Sequence, residues 1–176
     1  MDDLVFRTRA LAQAHPLSAA ASTYVNTTVA RERTRQPAPE MGFWAGAALT
    51  VGYCLRKVEE VDRFGHHPPA AREPDPTVLD RTAQVIAGAI RTGTAERHLL
   101  NPEGLLVAAL DRLIAGEIDR RLEHWRDTIP VEAERELEEY LAWWVIRGYA
   151  LRAAEVAMAD TSKNLGISKN LGEVEV

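Results

Sequence analysis

Three groups of residues in this chain have the types and spacing to do chemistry. Glu59, Asp62 and His66 stand three and four residues apart, and two carboxylates with an imidazole are a donor set that divalent metals accept. Against that reading, His66 follows Gly65 and fits a solvated helix end equally well. Glu117, Arg121 and His124 stand at spacings of four and three. On a helix they share a face, where Glu117 and Arg121 form the ordinary surface pair and His124 is left as an acid, base or further metal ligand. A two-metal carboxylate bundle would need Glu-x-x-His pairs on facing helices. The residues three before the histidines are Ala12, Arg63, Phe64, Ala95 and Arg121, so no such pair exists and no cofactor is predicted.

The third group is Arg147, Arg152 and Glu155, set in an apolar stretch with Trp143, Trp144 and Tyr149. Charges in such surroundings are costly unless paired, and Arg152 and Glu155 have the spacing to pair. Beside a pocket, an arginine with Trp144 and Tyr149 would supply an anion-holding group and aromatic walls for a small acid. The simpler reading is a structural ion pair at a helix or subunit interface. Cys54 is the only cysteine; it lies in an apolar run, where a thiol is a packing group rather than a nucleophile. The chain carries no glycine-rich phosphate loop, nucleophile elbow or zincin motif. No catalytic residue is assigned, and the balance leans away from an enzyme.

The elements that must position these residues all read as helices. Asp2 to His15 and Leu17 to Gln36 are separated by Pro16, with Ser18 as a cap for the second and Pro37 as its stop. Arg31, Arg33 and Arg35 suit the negative end of that second helix better than a nucleic-acid patch. Glu40 to about Phe64 reads as a long helix, apolar nearly all round in its first half and charged in its second. Gly42, Gly46 and Thr50 recur every four residues, which lines one face with small groups and lets another backbone approach. Asp75-Pro76 and Asn101-Pro102 each place a cap before a proline, opening helices to about Thr92 and Asp127. The last long helix runs from Val131 to about Asp160. Its tandem tryptophans point about 100° apart, so that half should pack on two sides. An all-α bundle of about five to six helices follows.

With 176 residues, 46% of them hydrophobic and 27% charged, the chain suits one globular domain, placed at residues 1–160. The net charge of -5 gives no general attraction for nucleic acid. Met41 to Leu55 is too short an apolar run for a membrane span, which takes about 20 residues. A single cysteine and an acidic N-terminus without a leader pattern predict a cytoplasmic location. Residues 161–176 change character and read as a flexible tail or docking segment, with Ser-Lys-Asn-Leu-Gly occurring twice, at Ser162 and at Ser168. Within them, Leu165-Gly166-Ile167 followed by Leu171 faintly resembles the C-terminal docking peptides that hold cargo inside encapsulin shells. The spacing to Leu171 is one residue longer here, and the resemblance implies a shell partner for the tail alone.

The preferred expectation is a non-enzymatic accessory protein that forms a homo-oligomer or binds a protein partner, using the small-residue helix and the tryptophans as interfaces. One alternative is a small-molecule sensor or carrier with a pocket anchored by Arg147 or Arg152. Another is a helical metalloprotein using Glu59, Asp62, His66 and His124.

Overall fold

The computed structural model describes residues 2–14, 17–36, 38, 40–70, 75–92, 112–116 and 131–170. Among these every regular element is a helix: α1 (Asp2–Gln13), α2 (Ala19–Arg35), α3 (Glu40–Phe64), α4 (Pro76–Arg91) and α5 (Val131–Asn170). Residues 112–116 are helical too, and the remainder of the helix expected from Asn101 to Asp127 lies outside the described residues. The protein is an all-α bundle.

Its helix ends follow local chemistry. Ser18 Oγ accepts the Ala21 N–H at 3.0 Å, satisfying one of the donors that a helix start leaves free. At the other end of α2, Gln36 turns to extended backbone (φ -90, ψ 152), as a residue before proline must. The threonines in α2 are accommodated where a hydroxyl can return to the preceding turn, as Thr23 does by donating to the Ala19 carbonyl at 3.0 Å. Gly65, at φ 74, takes the left-handed conformation that ends α3 and that side chains resist. Asp75 accepts the Thr77 N–H at 2.8 Å, so Asp75 and Pro76 open α4 as their order predicts.

The core is centred on α3, which packs against α1, α2 and α5, while α4 rests on α5. Leu49, Leu55, Leu141, Val145 and Leu151 are fully buried, each contributing roughly 1.5–3 kcal/mol by leaving water. Cys54 is among them at 0% exposure, and burial pushes its thiol up to about 12. Two glycines set the α3–α5 crossing. A Cβ on Gly52 would strike the Val145 carbonyl, and one on Gly148 would strike the Leu49 carbonyl. The two backbones therefore touch. The small-residue face read from Gly42, Gly46 and Thr50 meets α2: a Cβ on Gly42 would run into Arg33 and the Val29 carbonyl, and one on Gly46 into the Val29 side chain. Thr50 Oγ1 donates within its own helix to the Gly46 carbonyl at 2.9 Å.

α5 continues to Asn170, beyond the boundary expected at Asp160. No proline follows Pro130, and a lone glycine such as Gly166 costs a helix only about 1 kcal/mol. The second Ser-Lys-Asn-Leu-Gly copy ends outside the described residues, as do residues 171–176. No helix among the described residues is long and apolar enough to cross a membrane.

Candidate functional site

The close crossing of α3 and α5 brings a set of charged and phenolic side chains together in the interior. Arg152 is 3% exposed, Glu60 1% and Glu155 0%. Arg152 Nε donates to both Glu60 oxygens at 3.0 Å, and its Nη2 donates to Glu60 Oε2 at 2.8 Å and to the Pro68 carbonyl at 2.7 Å. Its Nη1 lies 3.5 Å from Glu155 Oε2, so the three-residue pairing read from sequence is present, with Glu60 as the stronger partner. Glu155 also accepts the Tyr53 hydroxyl at 2.8 Å and the Ser18 hydroxyl at 2.6 Å. Ser18 thus caps α2 and fastens that cap to α5. Burial, aided by the Glu155 charge, pushes the Tyr53 hydroxyl up to about 12. Burial opposes the Arg152 charge, yet the hydrogen bonds and charge of Glu60, with Tyr53 and Glu155 adding to them, hold the guanidinium above its ordinary value.

Next to this network, Glu59 Oε2 accepts the Tyr149 hydroxyl at 2.7 Å, and Arg56 Nη1 donates to the same hydroxyl oxygen at 2.8 Å. Glu59 Oε1 is buried without a partner. Burial pushes this carboxyl up to about 7, although the Tyr149 hydrogen bond and Arg56 draw it down. The Tyr149 hydroxyl is itself raised by burial and by Glu59. Burial thus favours the neutral form of Glu59, which escapes the penalty on a buried charge, while Oε1 stays without a hydrogen-bond partner.

The carboxylate–imidazole set read from sequence is dispersed. Glu59 faces Tyr149, Asp62 takes Arg7 in a two-pronged pair at 2.7 and 2.9 Å, and His66 Nδ1 lies 2.9 Å from the Phe64 carbonyl oxygen. Among the described residues no group of three or more His, Cys, Asp or Glu side chains could hold a metal ion. His124, with Glu117 and Arg121, lies outside the described residues.

Arg147 belongs to a different place. Its Nε and Nη2 donate to the Tyr24 hydroxyl at 3.0 and 2.6 Å, and Nη2 also reaches Asp80 of α4. The guanidinium stands 5.4 Å from the centre of the Trp143 ring and 5.8 Å from that of Trp144, within range of a cation–π attraction. Beside it opens a hollow of about 380 Å³. Tyr140 and the two tryptophans line it from α5 together with Arg147, Asp80 lines it from α4, and Arg31, Glu32, Arg35 and Gln36 come from the end of α2. Among the described lining residues, three guanidinium groups stand against two carboxylates, one positive charge in excess.

Glu32 is held in place, accepting Gln36 Nε2 at 3.0 Å and the Tyr140 hydroxyl at 3.1 Å. Burial pushes that hydroxyl up to about 12; the nearby Trp144 indole opposes the rise and Glu32 adds to it. Trp144 Nε1, although buried, completes no hydrogen bond.

The six residues singled out around the last helix therefore divide. Trp143, Trp144 and Arg147 line the hollow, Arg152 and Glu155 form the buried network, and Tyr149 stands next to it with Glu59 and Arg56. Sequence reasoning missed Glu60, Tyr53 and Ser18 in the network, Asp80, Tyr140, Arg31 and Arg35 in the hollow, and Tyr24 as the group that holds Arg147. The four-residue spacing of Arg31 and Arg35 was the available sign that both occupy one face. Comparison with known proteins finds no matching family model, no matching curated protein and no matching solved structure.

Proposed function

We propose that this protein is a non-enzymatic helical sensor or carrier that binds a small organic acid in the hollow between α2, α4 and α5. The observation that carries the reading is Arg147 standing over Trp143 and Trp144 in a hollow that also holds Arg31 and Arg35. A guanidinium against aromatic faces offers a fork for a carboxylate or phosphate and flat walls for a ring. The hollow's size falls at the low end for small-molecule sites, which run from roughly 300 to 1,000 Å³. The buried network supports the reading by contrast: its carboxylates and Arg152 already hold one another, and it contains no activated nucleophile. That arrangement suits a structural fastening.

The test is titration of the protein with benzoate, hexanoate and phenyl phosphate, followed by tryptophan emission and calorimetry. Saturable binding that Arg147→Met removes supports the proposal. No saturable binding of any of the three at millimolar concentration would discard it.

A second reading, association with another copy or a helical partner, draws on Phe43. This ring is 56% exposed at the edge of a groove whose lining mixes Leu17, Val25, Val29 and Ala47 with the polar Ser22, Asn26 and Thr50, and Arg33 lies 4.9 Å from its centre. An exposed aromatic beside an arginine suits an interface. The native mass of the full chain and of Phe43→Ser tests it: a single monomeric mass for both would remove this reading.

A further inference from the structure

Arg147 is already occupied, and the way it is occupied bears on how a ligand would enter. Its side chain is 14% exposed, whereas its partner Asp80 is 53% exposed. Tyr24 takes Nε and Nη2 with a single hydroxyl oxygen, and Asp80 adds one carboxylate oxygen on the same Nη2. Asp80 thus holds the guanidinium by one prong from the solvent side. Ion pairs with a half-exposed member are worth little, while an acid group inside the hollow would meet Arg147 together with Arg31 and Arg35 of α2. Asp80 also belongs to α4, which packs on α5 through Leu79, Ala83 and Ile86. Its pair with Arg147 ties the solvent-facing side of α4 to the same helix.

Resting on the binding function proposed above, we infer that the ligand's acid group takes the place of the Asp80 carboxylate on Arg147, so that binding loosens the start of α4. The exchange is one anion for another on a fixed guanidinium. Tyr24 stays where it is and keeps Arg147 over the tryptophans. The hollow is thereby a switch as well as a receptacle: occupancy is read out in the mobility of α4. A ligand can shift a conformation only by binding its states differently, and competition for Arg147 supplies that difference.

Calorimetric titration of full-length wild-type, Asp80→Asn, Glu32→Gln and Arg147→Met proteins with benzoate and with phenyl phosphate tests this, together with amide exchange across residues 78–84. Asp80→Asn should bind at least one probe several-fold more tightly than wild type. Glu32→Gln removes an equal charge from the lining without touching Arg147, and it should gain less. In wild type, addition of the tighter probe should speed amide exchange at the start of α4, and Asp80→Asn should show the faster exchange before any probe is added. The exchange model is overturned if Asp80→Asn gains no more than Glu32→Gln, if it binds more weakly than wild type, or if the probe slows exchange in α4; in each case the hollow remains a binding site. If neither probe binds to any of the proteins, the binding function fails and the exchange model fails with it. A preference between the two probes separates a carboxylate ligand from a phosphate one.

Discussion

The carbonyl of Leu49 lies so close to Gly148 that no side chain fits between them. Gly52 repeats the relationship against Val145 one turn away along the same crossing. Everything polar at the α3–α5 interface depends on that approach, because Tyr53, Glu59 and Glu60 reach Tyr149, Arg152 and Glu155 only while the backbones touch.

Gly148→Ala and Gly52→Ala should therefore each destabilise the fold by about 3 kcal/mol or more, the upper range for overpacking, since rigid backbone cannot move aside. Gly88→Ala is the contrast: open space surrounds a Cβ there, and alanine in place of glycine should add about 0.5–1 kcal/mol. Urea denaturation of the three variants checks both signs.

Arg152→Met should cost about 3–5 kcal/mol, because Glu155 would lose its cation and Glu60 would keep only the more distant Arg56 and His67, at 3.9 and 3.7 Å. The double variant Arg152→Met with Glu60→Met should recover part of that loss, since one of the two carboxylates that Arg152 held goes as well, while Glu155 stays buried. A double variant no more stable than the single one would show that Glu60 is held chiefly by other groups.

Glu59 makes stability depend on pH. The folded protein keeps its proton up to about pH 7, whereas an exposed glutamate releases it at 4.5. Folding therefore binds a proton between those values, and this contribution is full below 4.5, declines as pH rises and is lost above about 7. Glu59→Gln cannot ionise. Relative to wild type, it should gain on the order of 2–3 kcal/mol between pH 4.5 and 8. Parallel pH-dependent denaturation curves for the two proteins would contradict the assignment.

Arg147→Met should separate binding from folding. Its partner Asp80 is half-exposed, so the carboxylate left behind can be hydrated, and the stability loss should be about 1–2 kcal/mol, well below that of Arg152→Met. Loss of probe binding with a melting temperature near wild type is the expected pattern.

Much of the fold could be read from residues alone. Ser18, Pro37, Gly65 and Asp75-Pro76 each mark a helix end by a local mechanism, and the structure places ends there. The end of α5 was less legible, because its signal was a change of composition and a glycine every six residues, and the first of these, Gly166, lies within the helix. The site was harder still. Glu59 and Glu60 sit in a charged run that reads as a solvated face, yet they are 3% and 1% exposed. Only the approach of another helix makes them interior, and nothing local in the run encodes it. Arg152 with Glu155 was legible as a pair three residues apart; that Glu60, 92 residues away, is the nearer partner was not. Trp143, Trp144 and Arg147 could be grouped because one helix carries them, while Arg31, Arg35 and Asp80 join them only through tertiary packing.

Cys54 gives this fold a timer. Its sulfur is shut within α3 and its proton is held firmly, so a thiol reagent can react only during the intervals when the helix parts from its neighbours. Because it is the only cysteine, the reaction yields one signal without assignment. Its rate would report how often the centre of the protein opens, and whether a filled hollow changes that frequency.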